Sequence, residues 1–169
     1  MLPTVRVFAL LALLASAGPA LASDADHLPS ADRVVVYKGA REMRLYHGGA
    51  VLRTYHISLG LQPTGAKERS GDFRTPEGSY RLERRNPRSD YFLSIQVSYP
   101  NDEDRLRARQ NGWKTGGSIM IHGLPNDLKF PARVYSGKDW TDGCIALSNT
   151  DMLEFWLIVQ DNIPIDIRA

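Results

Sequence analysis

One cysteine and one histidine, each next to a glycine at the end of an apolar run, are the residues of this chain best suited to chemistry. The stretch Trp140-Thr141-Asp142-Gly143-Cys144-Ile145-Ala146-Leu147 holds the only cysteine of the 169 residues. It reads as a tight polar turn entering an apolar strand. Upstream, Ser118-Ile119-Met120-Ile121-His122-Gly123 is a second apolar strand, ending in histidine and glycine. A thiol and an imidazole brought together in this way make a nucleophile and its base. The base is needed because the thiolate attacks, and an ordinary thiol ionises only near pH ~8.5. The imidazole also needs an acceptor for its other nitrogen. No Asp or Asn stands in an obvious position for that on the His122 strand, whereas the Gly123 carbonyl is next in sequence. The amides of Gly143 and Cys144 are candidate oxyanion donors. The same residues also fit an inert role, with Cys144 a small apolar filler and His122 a capped turn residue. Asp142 reads as a turn residue or an electrostatic partner, and Trp140 as a core aromatic or a groove wall. His47 and His56 have no Cys, Asp or Glu at ligand spacing, so no metal is assigned, and no cofactor is expected.

The first 22 residues read as an address label. Arg6 is followed by an apolar run, Val7 to Ala17, and then by the small-x-small site Ala20-Leu21-Ala22 before Ser23. These are the parts of a secretory signal peptide, residues 1–22. No later stretch is long and apolar enough to span a bilayer. Removing 22 residues from 169 leaves 147, a usual size for one domain. Only Arg6 is lost among the charged side chains, so the formal charge falls from +2 to +1. That balance argues against nucleic acid or an anionic membrane surface as a partner. Export to an oxidising compartment also makes a lone cysteine informative, since exported cysteines usually pair.

The elements that must position the two strand ends follow in order. Residues 23–32 are a polar lead-in. Arg33 to Tyr37, Arg41 to Tyr46 and Val51 to Leu59 read as three strands of an antiparallel meander. Gly60 to Gly71 is a long polar loop, and Asp72 to Gly78 a turn. Ser79 to Glu83 is a short strand, Arg84 to Asp90 a charged loop, and Tyr91 to Tyr99 another strand. Asn101 caps a helix that begins with three acids and stops at Asn111-Gly112, its charge run forming a solvated face. Leu124 to Asp139 is a loop. Ser148 or Asn149 caps a second helix, in which Met152, Phe155, Trp156 and Val159 share one buried face. Pro164 to Ile167 is the last strand. The expected class is mainly β with short helices, in a single domain over residues 33–169.

These residues carry a resemblance. His122-Gly123, a loop, then Thr141-Asp142-Gly143-Cys144-Ile145 resembles the signature of L,D-transpeptidases of the YkuD type. That signature is a histidine, a spacer, then [Ser/Thr]-His-Gly-Cys-hydrophobic-[Arg/Asn]. Gly71 to Tyr80 is similar to the family's Thr-Pro-x-Gly hairpin. Ser98-Tyr99-Pro100-Asn101, Ile121 to Asn126 and the last helix and strand are similar as well. The likeness runs from about Arg33 to Ile167. Two positions depart: Asp142 stands for the motif histidine and Ala146 for Arg or Asn, and the spacer is longer.

The resemblance implies a β-sandwich with its site in a groove. It implies Cys144 as nucleophile, His122 as base and the Gly123 carbonyl as its orienting acceptor. Gly143 and Cys144 supply the oxyanion amides, and Thr141, Asp142 and Trp140 are placed at the substrate. The implied reaction is attack on the diamino acid–D-alanine bond of a peptidoglycan stem tetrapeptide in the periplasm. The acyl-enzyme then passes to an amine of a second stem, to a lysine of a wall-anchored lipoprotein, or to water. The alternatives are a hydrolytic relative that releases lipoprotein or trims stems, and a wall-binding module without activity. For Asp142, the expectation is support of a His122 imidazolium, in place of the positive charge the family can carry there.

Overall fold

The computed structural model describes residues 29–169, so the signal-peptide reading of residues 1–22 lies outside the described residues. Eight strands and three helices follow in the order β1 (Arg33–Tyr37), β2 (Glu42–His47), β3 (Ala50–His56), β4 (Gly78–Ser89), β5 (Phe92–Val97), α1 (Asp102–Gln110), β6 (Met120–His122), α2 (Ala132–Ser136), β7 (Ile145–Ala146), α3 (Asn149–Ile158) and β8 (Pro164–Arg168). The protein is mainly β with short helices, in one domain.

The β-branched run of β1 opens an antiparallel meander with β2 and β3, as the turn at Lys38-Gly39-Ala40 and the pair Gly48-Gly49 require. The last strand, β8, then inserts parallel to β1 and antiparallel to β4. The full order is β3-β2-β1-β8-β4-β5-β6-β7. β4 belongs to both halves of the sheet. Gly78 to Arg81 pair with β8, whereas Leu82 to Ser89 pair with β5. A bulge between Leu82 and Arg85 turns the strand from one half to the other. The two edges then meet, because Ser58, just past β3, pairs with Ala146 of β7. Ser58 N–H donates to the Ala146 carbonyl at 2.9 Å, and Ala146 N–H donates back at 2.8 Å. Between the two halves lie Val34, Val36, Met43, Leu45, Leu82, Ile95, Ile121, Ile145 and Ile165, closed off by Met152, Phe155 and Ile158 of α3.

Arg84 to Asp90 corrects the sequence reading. Its charges suggested a loop, but most of it continues β4. Bulges accommodate the misfit residues and Pro87, and Arg84, Arg88 and Asp90 are exposed. Arg85 does structural work there. Its guanidinium donates to the Trp156 carbonyl at 2.6 Å and to the Val159 carbonyl, and lies 4.8 Å from the Trp156 ring centroid. A cation thus satisfies the free carbonyls at the end of α3. α1 is capped as expected: Asn101 accepts from Asp104 N–H, and Asp104 accepts from Asn101 N–H. Its face is not wholly solvated, because Asp104 is buried and accepts from Tyr80 Oη at 2.9 Å. α2 lies inside what reads as a loop, with Pro131 just before it.

Two buried lysines fix the long loop that backs the site. Lys38 is 2% exposed and donates to the Gly65 carbonyl at 2.6 Å, the Thr75 carbonyl at 3.0 Å and Glu77 Oε1 at 2.8 Å. Lys67 donates to Asp72 Oδ1 at 2.6 Å and to the Arg69 carbonyl at 3.1 Å. Replacing Lys38 with Met leaves the Glu77 carboxylate and two carbonyls unpaired. Lys38→Met is expected to cost about 3 kcal/mol, on the order of 10 °C in Tm. An unchanged thermal midpoint in calorimetry would show that the loop does not depend on this cation.

Candidate active site

The parallel pairing of β6 with β7 brings the two chemical residues together. Ile121 faces Ile145 and His122 faces Ala146 across the pair, which puts Cys144 one residue before β7 and diagonal to His122. Both line one cleft of about 390 Å³. Met120 N–H donates to Cys144 Sγ at 3.4 Å, and the thiol reaches the Ser118 carbonyl at 3.6 Å. His122 is 4% exposed, and its Nδ1 lies 2.7 Å from the Gly123 carbonyl. A carbonyl only accepts, so Nδ1 carries the proton and Nε2 is left as the basic nitrogen.

Gly123 cannot be replaced cheaply. A Cβ there would lie 2.6 Å from Asn149 Oδ1 and 3.0 Å from Phe92 Cβ. Asn149 Oδ1 is already engaged, accepting Leu124 N–H at 2.8 Å. Gly143 is held even more tightly. It has φ +127°, and a Cβ would meet the Arg74 carbonyl oxygen at 2.6 Å. Thr141 closes the nucleophile turn: its hydroxyl donates to the Cys144 carbonyl at 2.7 Å and accepts Gly143 N–H at 3.1 Å. The Gly143 N–H, expected beside that of Cys144 as an oxyanion donor, is therefore occupied. Among the described residues, the Cys144 N–H meets no protein acceptor.

Trp140 is a cleft wall. Its ring lies 5.6 Å from the His122 ring, and Tyr91 stands 4.6 Å from the same imidazole. Its indole N–H is buried with no partner. Tyr91 escapes sequence reasoning, because no spacing links it to His122. Only the β4–β5 hairpin delivers it. Lys67 escapes it for another reason: a lysine in a polar loop reads as solvated, whereas this one is 4% exposed.

The electrostatics describe a neutral resting pair. Burial pushes the His122 imidazole down to about 4, only partly opposed by its bond to Gly123. Burial pushes the Cys144 thiol up. The Met120 N–H opposes that rise, Asp142 adds to it, and the Lys67 ammonium opposes it. Asp142 is exposed, and its charge acts on the thiol and not on the imidazole. The Asp142 charge thus favours the placement in which its carboxylate disfavours the thiolate over the one in which it supports an imidazolium.

Two measurements follow. Asp142→Asn is expected to speed alkylation of Cys144 by iodoacetamide near neutral pH about threefold, because removing a nearby negative charge favours the thiolate. Slower alkylation would restore the supportive role. In the wild type, the alkylation rate should keep climbing past pH ~8.5. A plateau below pH 7 would mean a preformed thiolate.

Comparison with known proteins places the chain. Residues 31–167 match the YkuD family, described as the L,D-transpeptidase catalytic domain. YafK of Escherichia coli (strain K12), provisionally named an L,D-transpeptidase, is 32% identical over 96 residues. That match covers 53% of this chain and 37% of YafK. The crystal structure of the helical cell shape determining protein Pgp2 from Campylobacter jejuni aligns at 28% identity and a TM-score of 0.61, covering 83% of this chain and 48% of that one. Bd1075 of Bdellovibrio bacteriovorus aligns at 26% identity and a TM-score of 0.56, covering 82% and 48%. The chain therefore spans half or less of the length of these relatives. A closed β-sandwich with a thiol and an imidazole on adjacent strand ends, matched across residues 31–167, makes this chain a member of the YkuD family of L,D-transpeptidase catalytic domains.

Proposed function

We propose that the protein is an exported L,D-transpeptidase acting on peptidoglycan stem peptides, with Cys144 as its nucleophile. One observation carries this reading: Cys144 and His122 open onto one cleft, with the Gly123 carbonyl holding Nδ1 so that Nε2 is the base. The likeness to a helical cell shape determining protein supports a substrate in the cell wall. The sequence pattern of residues 1–22 supports export to the periplasm.

The neutral resting pair sets the order of events. As Sγ bonds to the carbonyl carbon of the diamino acid–D-alanine amide, its proton passes to His122 Nε2. Negative charge moves to the carbonyl oxygen, with the Cys144 N–H as donor. The C–N bond then breaks, D-alanine leaves as an amine, and Nε2–H protonates it. The product is a thioester on Cys144. An acceptor amine, from a second stem or a lipoprotein lysine, attacks that thioester and gives its proton to Nε2. The new amide forms as the C–S bond breaks, and the thiol is restored. Water in the acceptor's place gives hydrolysis through the same acyl-enzyme. The low imidazole value keeps Nε2 unprotonated above pH about 4, so the base is lost only in strong acid.

Mass spectrometry of purified muropeptides incubated with the protein tests the reading. D-alanine release with a cross-linked or hydrolysed stem is expected, and the product names the acceptor. Cys144→Ala should abolish release with little change in Tm, because a small side chain beside a cleft leaves little cavity. His122→Ala should lower the rate at least ~100-fold. A carbapenem should add to Cys144 and to no other residue. Full turnover by Cys144→Ala would end the proposal.

A further inference from the structure

Cys144 and His122 explain the reaction but not what orients the substrate. The cleft that holds them has three arginine or aspartate side chains in its lining: Arg88, Asp90 and Asp142. Arg88 is the only cation of the three. It is exposed, and among the described residues its guanidinium has no carboxylate partner. By contrast, Arg41, Arg53 and Arg85 are each paired with an acid.

The backbone beneath Arg88 is fixed. Arg88 N–H donates to Asn86 Oδ1 at 2.9 Å, within the bulge between Asn86 and Ser89. Asn126 staples the hairpin tip from the far side. Its Nδ2 donates to the Ser89 carbonyl at 2.8 Å, its N–H donates to the Asp90 carbonyl at 2.9 Å, and its Oδ1 accepts Phe92 N–H at 2.8 Å. The same tip carries Tyr91 against the catalytic imidazole. An unpaired guanidinium on a rigid rim, beside a nucleophile, is poised for a planar anion.

We propose that Arg88 is a specificity-determining residue that binds a carboxylate of the stem peptide while Cys144 attacks. This rests on the transpeptidase reading above. Two carboxylates meet the description: that of the leaving D-alanine, and that on the side chain of a diaminopimelate-type residue. Either would make two parallel hydrogen bonds to the guanidinium. Asp90 and Asp142 would in turn disfavour a misplaced anion and suit an ammonium group.

The test has two parts. The first needs no peptide: alkylation of Cys144 by anionic iodoacetate and by neutral iodoacetamide. Arg88→Gln is expected to lower the iodoacetate-to-iodoacetamide rate ratio at least threefold at low salt, with partial rescue in Arg88→Lys. An unchanged ratio would overturn the proposal. The second part compares kcat/KM for the tetrapeptide with analogues that carry a C-terminal amide or lysine in place of the diaminopimelate. In the wild type one of these changes should cost tenfold or more, and that loss should vanish in Arg88→Gln. The sensitive analogue identifies which carboxylate is bound. If neither analogue loses rate, Arg88 does not bind the stem peptide and the proposal falls. If the alkylation ratio drops but no protein form turns over any peptide, the carboxylate site stands and the transpeptidase reading falls instead.

Discussion

The site depends on one close approach, between the Arg74 carbonyl and the Cα of Gly143. Only a glycine fits, since a Cβ would lie 2.6 Å from that oxygen. What holds Arg74 there is the buried pair Lys67–Asp72. Asp72 accepts Arg74 N–H at 3.2 Å, together with the amides of Glu68 and Arg69. Burial would raise its pKa, but these backbone bonds and Lys67 outweigh that and hold it low. The same loop reaches the other side of the thiol, because Ser70 N–H donates to the Lys114 carbonyl at 2.7 Å on the segment leading to Ser118. One ion pair therefore braces both walls around Cys144. Its Lys67 charge also opposes that of Asp142 at the sulfur.

Much of this was legible in the sequence, and the reasons for the rest are physical. The cap at Asn101 and the buried Met152 and Phe155 of α3 announce themselves, because capping and helical periodicity are local, whereas Trp156 is only half-buried and Val159 caps the helix from beyond its end. The places of Cys144 and His122 were legible because each stands next to a glycine at a strand end, and Gly123 because its carbonyl is next in sequence to the imidazole. The insertion of β8 between β1 and β4 was not, since strand order is set by non-local pairing. Arg84 to Asp90 misled because charge suggests a loop, whereas an outward face at bulges carries charge as readily. Lys38 and Lys67 misled in the opposite sense. The acceptors of Lys38 lie 27 to 39 residues away, and those of Lys67, only two and five residues on, meet its ammonium through a loop path that composition does not display.

The aromatic rings around the imidazole explain why its basicity is low without a charged neighbour. Tyr91 and Trp140 shield His122 from water, and among the described residues its ring's one polar contact, to Gly123, offers too little to compensate. Orientation is thereby secured at the expense of base strength. The closed sheet makes this tolerable, because Ser58 and Ala146 lock β7 against β3 and keep the thiol's strand from drifting.

The neutral thiol has a further consequence, for durability. Peroxides and disulfides attack thiolates, so a sulfur kept protonated by burial is a poor target for both. Cys144 has no second cysteine in the chain to rescue it from a sulfenic acid by forming an internal disulfide. For such a residue, irreversible oxidation would mean loss of the whole molecule. The same desolvation that slows its ionisation therefore acts as chemical armour. Under the proposed mechanism, the sulfur becomes reactive chiefly when a substrate carbonyl and His122 together offer its proton somewhere to go.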